Sequence, residues 1–336
     1  MAHPSNGLWQ RRLSEWSVLA PQRLYLWGYG ADFGSYLQSW PIWDHLGGDI
    51  QYWHQHGGVG MFMEGAYQTP SGDLQALKDY VVGRKMWDPV GNDPHQLTAE
   101  FLAGYYQPAA QAVRAYMDGF AAAAKNANCR VGEKLGAAEP YLSPSALLTA
   151  GSALNAGQAR TSNGTTARKR LDAVRLSLYM VVLQRWDRLK LFAKNATEHL
   201  IWPFEPTKAA AWEVFAQIWA DVGVRWAMEG GVGIDGVKSW VFPTAKVSAE
   251  VARDELPLPP WPDICRNGTQ LPPNNRVPTS ISPRMKLDDT PTPLMVPPDR
   301  GVCGISMRSD ACEPSRARGI SMPMKSDDQH LAENYT

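Results

Sequence analysis

Two short segments rich in aromatic and apolar residues, 23–30 (RLYLWGYG) and 59–67 (VGMFMEGAY), constrain the fold more than any other part of this sequence. Each contains a closing glycine, and the pattern is typical of a buried β-strand. Between them, residues 42–56 carry apolar side chains at three- or four-residue steps, which predicts an amphipathic helix. A second helix is predicted over residues 73–87. Because connections that contain a helix join parallel strands, the two strands are predicted to be parallel.

From Trp87 to about residue 246 the pattern is helical. Asp93 is a candidate N-cap, and a proline follows it at the first helical position. Residues 168–194 and 208–228 are each predicted to form a long helix. Glycine and polar residues at 151–165 are predicted to be a linker between helices. This half of the chain is therefore expected to be a helical bundle that lies beside the strands.

Large aromatic side chains stop near the end of this helical region. All 14 tryptophans lie at or before Trp261, whereas 14 of the 26 prolines lie at or after Pro257. A segment without large apolar side chains cannot offset the entropy of ordering its backbone. Residues 251–336 are therefore predicted to be a disordered, Pro-rich tail.

Composition excludes several classes of partner. The 33 basic and 33 acidic residues cancel, so there is no electrostatic reason to expect nucleic acid or an anionic membrane. No apolar stretch approaches the ~20 residues that span a bilayer. The N-terminus also lacks the apolar core of a signal peptide, and the compartment stays open. Cysteines and histidines do not occur at metal-site spacings, so we expect no metal and no cofactor.

Five motifs between Ser5 and about Val247 follow the order and spacing of a known family. They are SNGLWQRRLSEW, LYLWGYGADFGSYLQSWP, HGGVGMFMEGAYQTPSG, VVGRKMWDP and AEFLAGYYQPAAQAVRAYMD. On these motifs the chain resembles the domain of unknown function 4838 family, which is regarded as a family of glycoside hydrolases similar to α-glucuronidase-type barrels. The resemblance implies that the two strands belong to the last two βα units of a TIM-like (β/α) barrel.

The sequence patterns and the resemblance together indicate how the chain is divided. We expect an α+β, mainly α-helical protein with a partial (β/α) barrel segment at 1–90, a helical domain at 91–250 and the tail at 251–336. Two parallel strands alone would leave both sheet edges unpaired. The segment before the first strand is too short for another βα unit of ~30 residues. A complementary polypeptide that supplies the missing barrel strands is therefore one possible partner.

Chemistry in such barrels lies at the C-terminal ends of the strands. Hydrolysis of a glycosidic bond uses two carboxyl groups, and Glu64 and Asp32 are the candidate catalytic residues. Aromatic faces can stack on sugar rings. The candidate substrate-binding residues are Trp27, Tyr29, Tyr67 and Gln68. The alternatives are structural, with Glu64 in a cap or salt bridge, the aromatic rings in the core and Asp32 in a turn.

These observations leave three functions open. The first is the C-terminal portion of a glycoside-hydrolase-like, carbohydrate-active protein, which we expect to be incomplete as a catalyst on its own. Any activity would then be hydrolysis of an O-glycosyl bond. The second is a non-catalytic helical binding or interaction module that retains the family scaffold. The third is one half of a split barrel that a separate polypeptide completes.

Overall fold

The structure, a computed structural model, describes residues 6–129, 131–196, 201–243 and 304–305. It is mainly helical with one small parallel sheet, which confirms the predicted α+β, mainly α-helical class. The strands are β1 (Leu24–Tyr29), β2 (Gly58–Glu64) and β3 (Gly304–Ile305). The α-helices are α1 (Gly7–Leu19), α2 (Trp43–Gln55), α3 (Gln75–Trp87), α4 (Pro94–Phe101), α5 (Ala110–Ala127), α6 (Pro144–Ala159), α7 (Thr166–Gln184), α8 (Trp186–Asn195), α9 (Lys208–Val222) and α10 (Ile234–Val241). The predicted disordered tail lies outside the described residues, apart from 304–305.

Both strands and the helices after them were predicted correctly. β1 and β2 are parallel neighbours, with Trp27 opposite Phe62 and Tyr29 opposite Glu64. The backbone of β3 pairs with the other edge of β1, so the sheet order is β2-β1-β3. α2 packs against α3 and β2. The carboxyl ends of β1 and β2 therefore lie side by side, as the parallel arrangement requires.

α4 begins where the sequence predicts a helix to begin. The Asp93 carboxylate accepts a hydrogen bond from the His95 backbone N–H at 2.9 Å, which confirms the predicted N-cap. After α4 the chain forms a π-helical turn over Leu102–Tyr106 and a 3₁₀ turn over Gln107–Ala109 before α5 begins. Pro108 lies in this 3₁₀ turn, and proline lacks the backbone N–H that a continuous helix needs.

Three predictions about the helical half are wrong. The helix predicted over residues 208–228 ends at Val222. Residues 168–194 do not form one helix, because α7 ends at Gln184 and α8 starts at Trp186. The predicted linker at 151–165 is helical over its first nine residues, which belong to α6.

The glycines that suggested a linker are contact points between helices and loops. A Cβ at Gly151 would lie 2.7 Å from Pro203 Cγ, and one at Gly157 would lie 2.7 Å from the Ala112 side chain of α5. Glycine at both positions lets neighbouring backbone approach α6 closely. Glycine is needed at these two positions because of tertiary packing. Local propensity, which associates glycine with loops, therefore gave the wrong prediction.

One hydrophobic core joins the strand-containing segment to the helical segment. Leu37, Trp43 and Leu77 belong to the same buried cluster as Tyr116 of α5 and Phe215 of α9. Apolar contacts therefore cross the predicted boundary between residues 90 and 91. The division into 1–90, 91–250 and 251–336 stays a prediction.

Candidate functional site

The sheet has one buried face and one exposed aromatic face. Along β1, Leu24 and Leu26 are buried, while Tyr25 and Trp27 alternate with them and are 49% and 41% exposed. Phe62 of β2 is 54% exposed and packs edge-on against the Trp27 ring at a centroid distance of 4.7 Å. Strand alternation places these rings on one side of the sheet. Tyr25, Trp27 and Phe62 are called the aromatic face below.

Glu64 ends β2 beside this face. Its Oε2 accepts a hydrogen bond from the Trp27 indole N–H at 3.0 Å, and its carbonyl oxygen accepts one from the Gly30 N–H at 2.8 Å. Both bonds connect the ends of the two strands. The carboxylate is thus held against the edge of an exposed indole ring.

The loop after β2 meets the loop between α9 and α10. The Tyr67 hydroxyl donates to Glu229 Oε1 at 3.3 Å, and Gln68 Oε1 accepts from the Gly230 N–H at 3.0 Å. Lys134 Nζ lies 3.7 Å from Glu229 Oε2. Tyr67 and Gln68, two predicted binding residues, therefore lie next to a carboxylate that the sequence analysis did not single out.

The loop after β1 is also tied to the helical half of the chain. The Phe33 N–H donates to the Glu133 carbonyl at 2.7 Å, and the Tyr36 N–H donates to the Ala227 carbonyl at 2.7 Å. The Glu229 N–H in turn donates to the Phe33 carbonyl at 3.0 Å. Tyr29 packs edge-on against the Phe33 ring at 5.4 Å. Backbone hydrogen bonds thus fix the 225–233 loop against the loop after β1.

Asp32 lies inside the protein, at 2% exposure. Its Oδ1 accepts hydrogen bonds from the N–H groups of Gly34 at 3.0 Å and Leu135 at 2.9 Å. Desolvation by burial raises the pKa of Asp32 to about 7, although the backbone donors act in the opposite direction. The carboxyl group therefore joins the loop after β1 to the loop that contains Leu135. Its predicted part in catalysis stays a prediction.

A buried polar centre lies behind these loops. Asp73 accepts hydrogen bonds from the Trp40 N–H and from the Tyr116 hydroxyl, both at 2.8 Å. Lys78 is buried nearby with its ammonium 5.0 Å from the centroid of the Trp40 ring, and burial lowers its pKa to about 8. Burial also raises the pKa of Asp73, and the charge of Lys78 acts against that rise. This centre joins α3, α5 and the loop after β1, and it has a structural role.

Several buried side-chain atoms in the two loops and at the start of α3 have no hydrogen-bond partner among the described residues. Such unpaired polar atoms are costly in an interior and are usually satisfied by water or a ligand. They are Asp32 Oδ2, Ser35 Oγ, Tyr36 OH, Gln38 Oε1, Thr69 Oγ1 and Gln75 Oε1. The loops that follow β1 and β2 therefore enclose more polar atoms than the described protein groups can pair.

Sequence reasoning missed Glu229, Tyr36 and Lys134. The only local signal near Glu229 is the pair of glycines that follows it, both of which have positive φ, and such a pair indicates a turn and not a site. In the described part of the chain, no group of three His, Cys, Asp or Glu side chains is arranged to hold a metal ion. None of the described helices has the length and apolarity that crossing a membrane would require.

Comparison with known proteins gives one finding. No significant match was found among curated proteins or among solved structures. Residues 1–118 match the family model described as Domain of unknown function (DUF4838). This segment contains β1, β2, Glu64 and Tyr67, together with the motifs that suggested the likeness. The resemblance of the chain to the DUF4838 family is thereby confirmed over residues 1–118.

Proposed function

We propose that this chain is the C-terminal portion of a glycoside-hydrolase-like, carbohydrate-active protein. The observation that carries the proposal is the hydrogen bond from the Trp27 indole to Glu64 at the carboxyl ends of two parallel strands. A sugar ring offers an apolar face for stacking and hydroxyl groups for hydrogen bonding. The aromatic face and the Glu64 carboxylate offer the two complementary groups next to each other.

The role of Glu64 in hydrolysis follows from the requirements of the reaction. A proton must reach the glycosidic oxygen as it leaves, and a water oxygen must bond to the anomeric carbon, with or without a glycosyl-enzyme intermediate. Glu64 would serve as one of the two carboxyl groups. The Trp27 indole would orient it, and the exposed Tyr67 ring would contact the sugar.

The strand arrangement supports the further proposal of a barrel fragment. β1 and β2 are parallel and each is followed by a helix, as the last two βα units of a TIM-like barrel would be. The aromatic face would then line the barrel interior. Among the described residues β2 has only β1 as a neighbour, so its outer edge is open to strands from a complementary polypeptide.

A non-catalytic binding module is the second candidate. The position of Asp32 favours it, because this carboxyl group is buried and accepts hydrogen bonds from backbone N–H groups. Glu64 would in that case bind sugar hydroxyl groups without cleaving a glycosidic bond. The two candidates differ in one result, namely whether binding is accompanied by turnover.

Sugar binding by the full chain tests the proposal. We expect Trp27→Ala to weaken binding of the best glycan from an array by about tenfold or more, because it removes both the stacking surface and the donor that orients Glu64. Trp87→Ala is the control, since Trp87 is exposed at the C-terminal end of α3 and is not part of the aromatic face. Equal losses in both variants, or no binding by the wild type, would refute the proposal.

Glu64→Gln separates catalysis from binding. In a protein completed by its remaining strands, we expect this variant to keep the fold and to lose hydrolysis, measured as release of reducing ends. Unchanged turnover would refute a catalytic Glu64. Binding without turnover in the completed wild-type protein would favour the binding module.

A further inference from the structure

Tyr36 carries a buried hydroxyl group with an unusual environment. The side chain is 1% exposed, and its hydroxyl has no hydrogen-bond partner among the described residues. Burial raises the pKa of Tyr36, and the neighbouring charges that add to the rise belong to Tyr67, Glu229 and Glu64. The hydroxyl is therefore a neutral donor that lies within electrostatic reach of two carboxylates from different parts of the chain.

Glu229 is held in this region by its backbone as well as its side chain. Its N–H bonds to the Phe33 carbonyl, and the next residue, Gly230, donates to Gln68. The Glu229 carboxylate accepts from the Tyr67 hydroxyl and keeps 26% of its side-chain surface exposed. The group is thus fixed in place by both strand-end loops and is still accessible to a ligand.

We infer that Glu229 is the second carboxylate of the site that Glu64 and Trp27 begin, and that the Tyr36 hydroxyl donates to the same ligand. The inference rests on the proposed sugar binding. A buried hydroxyl without a partner is unfavourable in the folded protein, and a bond to a ligand oxygen would remove that cost. Sugar hydroxyl groups can both accept from Tyr36 and donate to Glu229.

The charges of the site indicate which sugars fit. Glu64 and Glu229 are both acidic, and Lys134 is engaged with Glu229 at 3.7 Å. The carboxylate of a uronic acid would meet two like charges, and like charges brought together at an interface oppose binding. The site is therefore suited to uncharged sugar residues and unsuited to uronic acids.

A first experiment needs no sugar. Because the Trp27 indole N–H donates to Glu64, its ¹⁵N NMR resonance, assigned with Trp27→Phe, reports on the surroundings of that carboxylate. At one fixed pH, Glu229→Gln should shift this resonance, since the substitution changes a group of the same site. Glu213→Gln, an exposed glutamate of α9, should leave the resonance unchanged. An unshifted resonance in Glu229→Gln would overturn the placement of the two carboxylates in one site.

A second experiment tests the ligand. We expect isothermal titration of the full chain to show binding of neutral gluco- or xylo-oligosaccharides and at least tenfold weaker binding of oligogalacturonates. Tyr36→Phe and Glu229→Gln should each weaken neutral-sugar binding about fivefold to tenfold, while Glu213→Gln should not.

The outcomes distinguish this inference from the proposed function. Neutral-sugar binding that neither variant weakens would overturn the inference and leave the proposed function standing. Tighter binding of oligogalacturonates would overturn the assignment of uncharged sugars. A shifted Trp27 resonance in Glu229→Gln without binding of either sugar class would refute the proposed function and the ligand assignment, while supporting the carboxylate pair.

Discussion

Tyr36 and Tyr116 are both fully buried, but their hydroxyl groups differ in whether a hydrogen-bond partner is present. The Tyr116 hydroxyl donates to Asp73 at 2.8 Å and lies 2.6 Å from Ser39 Oγ. The Tyr36 hydroxyl has no such partner within the described part of the chain. A buried hydroxyl stabilises the fold when another protein group forms a hydrogen bond with it, and destabilises the fold when no group does. The two tyrosines are therefore a matched pair for testing which groups serve the fold and which are available to a ligand.

We predict opposite effects of removing the two hydroxyl groups. Tyr116→Phe should lower the free energy of unfolding by about 1–3 kcal/mol, because it leaves a buried Asp73 oxygen without its donor. Tyr36→Phe should leave the free energy of unfolding unchanged or raise it. Urea denaturation of both variants without ligand measures the difference. A loss in Tyr36→Phe as large as in Tyr116→Phe would show that the fold uses both hydroxyl groups.

At the scale of elements, α2 carries two adjacent glycines with different surroundings. Gly47 is buried against the start of α4, and a Cβ there would lie 2.9 Å from Pro94 Cγ. Gly48 is exposed, and a Cβ there would meet nothing within 4 Å. The same substitution in one helix therefore acts through packing at one position and through helix propensity at the next.

We predict that Gly47→Ala destabilises the protein and that Gly48→Ala stabilises it. The first should lower the free energy of unfolding by about 1–3 kcal/mol, because the added methyl group overfills the contact between α2 and α4. The second should raise it by about 0.5–1 kcal/mol, because alanine has less backbone freedom to lose in a helix. Denaturation of both variants beside the wild type checks the signs. Equal effects would mean that α2 and α4 do not pack as described.

At the scale of the whole molecule, buried ionisable groups determine how stability depends on pH. The pKa of Asp32 rises from 3.8 to about 7 on folding, and that of Asp73 rises as well, both chiefly through burial. The pKa of Lys78 falls from 10.5 to about 8 for the same reason. The folded protein therefore binds more protons than the unfolded chain between about pH 4 and 7. It binds fewer protons between about pH 8 and 10.

We predict that the free energy of unfolding falls as pH rises from 4 to 7 and rises again from pH 8 toward 10. Asp32→Asn should flatten the first branch, because the amide oxygen can still accept from Gly34 and Leu135 but no longer titrates. Glu213→Gln should give a curve parallel to the wild type. Urea titrations across this pH range provide the measurement. An unaltered slope in Asp32→Asn would contradict the assigned environment of this carboxyl group.

The sequence by itself determined the parts of the fold that depend on local periodicity. The strands, their parallel direction, α2, α3 and the Asp93 cap could all be predicted, because alternation, amphipathic spacing and capping act within a few residues. Glu64 could be recognised as a candidate for the same reason, since it ends an apolar strand. The resemblance to the DUF4838 family likewise depended on short motifs in a fixed order.

Only the tertiary structure decided which distant residues meet the loops after β1 and β2. Glu229 meets Tyr67 across 162 positions of the chain, and Leu135 meets Asp32 across 103. Nothing in the local sequence marks such contacts, because they arise where separate loops are joined by backbone hydrogen bonds and packing. The burial of Asp32 and the helical state of Gly151 have the same origin. Long-range burial and pairing thus decided which of the chemically suitable side chains face solvent and which support the fold.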